Sequence, residues 1–221
     1  MHRIITLFLI LAFACQNRTP DILAPVGAIP RFIPLKGYNS GLIIYLPAEM
    51  DSSNTWGADC CTGGSPTIGF WDRGYQIIQA KHGLCFPTFI PDSIRQVTIS
   101  YNDSQRRDSL IVSDSFLNAQ IHNIEDKEYQ WRKYSDTFPL MFKGIDLINK
   151  VPMVYFAFSG YTWFTPTQEN GLPHETLTII CQVEKAPVYI CFECVGTGCT
   201  GFAKKMLPYA RSRLLEGNPA Q

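Results

Sequence analysis

After about residue 40 the chain alternates short apolar runs with Gly, Pro and polar breaks, a pattern typical of strands. Gly41–Pro47 (GLIIYLP) is an apolar run bounded by turn residues. Thr67–Trp71 and Tyr75–Lys81 flank Asp72-Arg73-Gly74, which reads as a three-residue hairpin loop with Gly at the left-handed position. Gln96–Tyr101 alternates polar with apolar, and Pro152–Phe164 is rich in aromatics and strand formers. Thr176–Val183 and Val188–Cys194 read as a second hairpin about Glu184-Lys185-Ala186-Pro187. Ser115–Tyr134 stays ambiguous: Leu117, Ile121 and Ile124 recur at helical spacing, while Asn118, Asn123 and Asp126 lower helix propensity. The period changes to four from Thr200 to Gly217, where Phe202, Met206, Ala210 and Leu214 line one side. That predicts a C-terminal amphipathic helix, capped by Thr200, stopped by Gly217-Asn218-Pro219, and kinked or shortened at Pro208. Lys204, Lys205, Arg211 and Arg213 would form its solvated, basic side. The predicted fold is mainly β, an antiparallel sandwich-like or open β domain with a C-terminal amphipathic helix packed on it.

The N-terminus follows a different pattern. Met1–Cys15 (MHRIITLFLILAFAC) has a short basic start, then ten nearly unbroken apolar residues, Ile4–Phe13. As a helix that run is about 15 Å long, half a hydrocarbon core, so it fits a signal-peptide core and not a spanning helix. Ala12-Phe13-Ala14 is a small-x-small cleavage site. Leu11-Ala12-Phe13-Ala14-Cys15 also resembles the signal peptide of bacterial lipoproteins. The resemblance is limited to these first 15 residues, and implies cleavage before Cys15, diacylation of that cysteine and a membrane anchor. Gln16, where such lipoproteins retained in the inner membrane carry Asp, implies the outer membrane. Pro20, Pro25, Pro30 and Pro34 then favour extended chain, either a tether or an irregular segment lying across the domain. The expected organisation is a signal peptide over 1–14, a Pro-containing tether over 15–36 and one β-rich domain over 37–221.

Composition narrows the classes. The 221 residues are 46% apolar, with 19 Lys+Arg against 19 Asp+Glu. A disordered chain needs low hydrophobicity and high net charge, and a nucleic-acid binder usually shows net basicity. Neither fits, so no nucleic-acid partner is expected. Gly196-Thr197-Gly198-Cys199-Thr200-Gly201 is a literal dinucleotide fingerprint between a predicted strand and a predicted helix. The second strand and acidic residue that such a fold needs would have to follow the helix. Only 20 residues remain after Gly201, so neither nucleotide nor any other cofactor is expected. No catalytic signature emerges. His174-Glu175 lacks the second His of a zinc protease motif and reads as a surface pair.

Eight cysteines in an exported chain read as disulfide candidates. Acylation of Cys15 leaves Cys60, Cys61, Cys85, Cys181, Cys191, Cys194 and Cys199, an odd number. Cys194 and Cys199 can close across the Gly-rich turn, and Cys85 is the natural mate of Cys60 or Cys61. A three-residue loop at Lys185-Ala186-Pro187 would set Cys181 opposite Cys191, whereas a two-residue loop would misalign them. One free thiol is then expected. Cys191-Phe192-Glu193-Cys194 could instead bind zinc with Cys199 or the Cys60-Cys61 pair, but the oxidising compartment favours disulfides, and no metal is expected.

Aromatics concentrate around Trp56, Phe70 and Trp71 and again over Tyr155–Phe164. Half the aromatics of a strand must point inward, so most read as core, with Trp56, Trp71, Tyr161 and Trp163 as candidates for stacking on a glycan or filling a partner's pocket. Three functions fit: a non-enzymatic binding or structural envelope lipoprotein, a periplasmic immunity or inhibitor protein using a loop such as Gly57–Gly69, and an enzyme without a recognisable motif.

Overall fold

A computed structural model describes residues 24–34, 41–56, 67–72, 93–101, 112–131, 138–148, 151–162, 172–183, 186–212 and 215–217. They form ten strands and two helices: β1 Ile29–Pro34, β2 Gly41–Leu46, β3 Ser52–Trp56, β4 Thr67–Trp71, β5 Ser93–Tyr101, α1 Asp114–Trp131, β6 Leu140–Ile148, β7 Val151–Thr162, β8 Leu172–Val183, β9 Ala186–Gly196, α2 Phe202–Arg211 and β10 Leu215–Gly217. Two open antiparallel sheets result, one ordered β1-β2-β10 and the other β3-β4-β5-β9-β8-β7-β6. The predicted fold class is thus the observed one.

The large sheet carries apolar residues on both faces, each covered by a different layer. On one face Val97, Ile99, Leu177, Ile179, Ile190 and Phe192 pack against Ile33, Leu42, Ile44 and Leu46 of the small sheet. Phe202, Ala203, Met206 and Ala210 of α2 complete that core. On the opposite face Val154, Phe156, Phe158 and Ile180 meet Leu117 and Ile121 of α1. Strands buried on both faces lose the clean polar alternation of a half-solvated sheet. That loss explains why β7 reads as a run of aromatics and strand formers without clean alternation.

The ambiguous segment is therefore helix. Ser113 Oγ accepts a hydrogen bond from the Phe116 backbone N–H at 3.2 Å and starts α1. Lys143 Nζ donates to Asn118 Oδ1 at 2.6 Å, tying the helix's polar side to β6. Sheet packing outweighs the weak propensity of its Asn residues.

Several boundaries differ from expectation. Ile29–Pro34, read as tether, pairs with β2 along six residues, and Ile33 is fully buried. Prolines 30 and 34 are tolerated because β1 is an edge strand. Both edges of β4 are taken, by β3 and β5, so β4 is not the first arm of the Asp72-Arg73-Gly74 hairpin; the second arm lies outside the described residues. The β8–β9 turn has two residues, since Val183 pairs with Ala186.

Helix α2 starts at Phe202, runs unbroken through Pro208 and ends at Ser212, five residues before the expected stop. Pro208 is on the exposed side. The carbonyl its missing N–H would have served belongs to Lys204, also exposed, where water can replace the bond. Ser212 turns the chain by bonding the Tyr209 carbonyl through both its N–H (3.1 Å) and its hydroxyl (2.6 Å), and β10 then pairs with β2. Arg211, expected on the solvated side, sits 2.7 Å from Asp146 Oδ2 of β6.

Candidate functional site

The hairpin of β8 and β9 organises two polar clusters, one on each face of the sheet. Glu175 of β8 pairs with Cys194 of β9 on the face covered by α2. Cys194 is joined to Cys199 across the turn that leads into α2, with S–S 2.03 Å and Cα–Cα 5.4 Å, as the sequence suggested. Gly196, Gly198 and Gly201 in that turn have φ of 106°, 78° and 81°. The glycines of the apparent dinucleotide fingerprint thus serve a left-handed turn.

The start of α2 has no side-chain cap of its own, so Thr200 does not play that role. Glu175, only 3% exposed, reaches across instead. Its Oε1 accepts the Gly201 N–H at 2.8 Å and its Oε2 accepts the Ala203 N–H at 2.9 Å. A carboxylate at a helix N-terminus meets free N–H groups and the positive end of the dipole. The place where a nucleotide phosphate would dock is already filled by the chain's own anion.

On the opposite face stand His174, Glu193 and Gln96. His174 and Glu175 are neighbours in a strand, so they point to opposite sides and do not form the surface pair expected. Both are buried. His174 Nε2 lies 2.9 Å from Glu193 Oε1, and Gln96 Nε2 donates to Glu193 Oε2 at 2.5 Å. Burial pushes the Glu193 carboxyl up, but the hydrogen bond and charge of His174 and the bond from Gln96 outweigh it. The net result is a carboxyl below its ordinary value. Phe138 packs on the His174 ring at 5.3 Å between centroids and stacks on Phe158 at the same distance. His174 Nδ1 is buried without a hydrogen-bond partner among the described residues.

Cys191 shares this face, with Thr178 Oγ1 3.9 Å from its sulfur. Burial and the Glu193 charge push the Cys191 thiol up to about 12, against the Thr178 hydrogen bond. Burial alone takes Cys181 to about 12. Both are thiols at neutral pH and poor nucleophiles. They form no bridge with each other, which corrects the expected pairing. The two-residue turn sets Cys181 opposite Val188 and Cys191 opposite Thr178, on opposite faces. The same alternation separates Cys191 from Cys194, so the C-x-x-C spacing does not converge on a metal.

Of the candidate aromatics, Trp71 is 8% exposed and belongs to the core, whereas Tyr161 on β7 is 55% exposed. Trp56 ends β3, too far from β7 in strand order to share a platform with Tyr161. Trp163, Cys15, Cys60, Cys61 and Cys85 lie outside the described residues, as does most of the Gly57–Gly69 loop.

Sequence reasoning missed the partners of His174 and Glu175, which lie 19 and at least 26 residues away. The only hint was Glu193 itself, an acid on an otherwise apolar strand.

No protein-family model matches the chain, and no curated protein matches it in sequence. Among solved structures it is similar to PA94 of Pseudomonas aeruginosa, a protein of unknown function, at 13% identity and a TM-score of 0.38. The match covers 85% of this chain and 97% of that one.

Proposed function

We propose that this is an exported envelope protein, anchored through a lipid on Cys15 at the outer membrane, with a binding or structural role. The Cys194–Cys199 disulfide carries the reading, because such bonds persist in oxidising compartments outside the cytosol. The signal-like Met1–Ala14 segment supports the same address. The polar clusters favour binding or structure over catalysis. Glu175 is committed to the start of α2, Glu193 is held between His174 and Gln96, and the two described free cysteines stay protonated.

The tether in this reading is short. A turn closed by the Ala28 N–H on the Pro25 carbonyl leads into β1, leaving Gln16–Ala24 as spacer. Those residues could reach about 28 Å when extended at ~3.1 Å each. In this reading the domain sits close to the membrane surface.

The test is fractionation of wild type and Cys15→Ala, with intact mass of the N-terminus. Wild type is expected in the membrane fraction with a diacylglyceryl mass increment, and Cys15→Ala in the soluble fraction. A soluble wild type beginning at an unmodified residue refutes the anchor.

A further inference from the structure

We propose that the cleft beside the start of α2 binds a small amphipathic monoanion, with Arg95 holding its carboxylate. The cleft, about 80 Å³ and open to solvent, lies between the β2–β3 connection, β5, the Gly-rich turn and α2. Arg95 and Lys205 outweigh Glu49 there by one positive charge. Lys205 Nζ and Glu49 Oε1 are 4.0 Å apart on the exposed rim, where an ion pair counts for little.

Arg95 differs from these rim residues. It pairs with Cys194 across β5 and β9, so Arg95, Cys194 and Glu175 form one cross-strand row. Glu175, the carboxylate in that row, is committed to the Gly201 and Ala203 N–H groups. Arg95 is thus left partly buried, with its Nε enclosed and without a hydrogen-bond partner among the described residues. Its guanidinium lies against the turn backbone, since a Cβ on Gly198 would be 3.5 Å from an Arg95 terminal nitrogen. The enclosed Nε holds the fork in place, and the terminal guanidinium nitrogens at the cleft offer paired donors that a carboxylate meets with two parallel bonds.

Apart from these charged residues, Thr200 and the turn glycines, the wall is apolar. Met50, Phe202 and Met206 line the cleft and are almost fully buried. A charged fork beside apolar side chains suits a carboxylate on a short hydrocarbon body better than a phosphate, which has no such body and whose second charge exceeds the cleft's net single positive charge. The inference rests on this cleft alone and is independent of the membrane address.

The test is isothermal titration of the purified full-length chain with hexanoate, acetate, hexanamide and inorganic phosphate in low-salt buffer. Hexanoate is expected to bind. Acetate lacks the body and hexanamide the charge, so each should bind at least about tenfold more weakly, as should phosphate. Arg95→Met should weaken hexanoate by about tenfold or more and Lys205→Met by about threefold. If Arg95→Met does not fold, Lys205→Met decides, because Lys205 is exposed and its removal leaves the core intact. The proposal is overturned if hexanoate does not bind, if hexanamide or phosphate matches it, or if a folded Arg95→Met or Lys205→Met binds as wild type does.

Discussion

Replacing Glu175 tests the most unusual junction of this fold, a helix whose cap comes from a distant strand. Glu175→Ala removes two charge-assisted hydrogen bonds, at 2.8 and 2.9 Å, from the first turn of α2. Bonds to charged groups contribute about 1.5–3 kcal/mol each, so their loss alone costs about 3–6 kcal/mol. Relief of burying a carboxylate that is 3% exposed offsets part of that. The net expectation is about 3–4 kcal/mol. Glu175→Gln keeps one acceptor but turns an amide N–H toward the second backbone N–H, and should cost about 2 kcal/mol. The assay is urea unfolding followed by tryptophan fluorescence at pH 7. Domains of this size are stable by about 5–15 kcal/mol, so both variants should fold and shift the midpoint. A Glu175→Ala loss below about 1 kcal/mol, at unchanged slope, refutes the idea that this carboxylate holds the helix. Reducing Cys194–Cys199 in wild type should cost less than Glu175→Ala, because the bond closes a loop of only a few residues and such short loops gain little chain entropy.

Three further outcomes are expected. Glu193 titrates below its unfolded value near ~4.3, so the stability it confers is fully present above that pH and is lost as pH falls through its lower folded value. Urea midpoints measured from pH 7 to pH 3 should fall less steeply in Glu193→Gln, and an unchanged slope refutes the pairing. Cys181 and Cys191 should resist iodoacetamide in the native state and react in denaturant without reductant, as intact mass and peptide mapping will show; failure to label them in denaturant means they are bridged. Met206 is 1% exposed between α2 and the sheet, so Met206→Asp should cost about 2–4 kcal/mol in the same urea assay. A cost below about 1 kcal/mol would mean that α2 does not seal this core.

The amino-acid order alone determined the strand-rich class, the apolar stripe of α2 and the Cys194–Cys199 bridge, because each depends on residues close in sequence. Period-four spacing places Phe202, Met206 and Ala210 on one face whatever they meet, and a five-residue separation brings two cysteines together around any tight turn. The resemblance of Met1–Cys15 to a lipoprotein signal is likewise read from a linear motif, and the expectation it raises is tested by the fractionation above. The tertiary structure alone decided the rest. Whether Cys181 meets Cys191 depended on one residue of turn length, which moves a whole strand by one register and exchanges its faces. Ile29–Pro34 became a strand because β2 offered a free edge, and α1 became a helix because the back of β7 and β8 needed covering. His174 and Glu175 were read as one surface pair. They became separate buried contacts because pleating turns neighbouring side chains to opposite faces, and the partners waiting there come from β9 and α2.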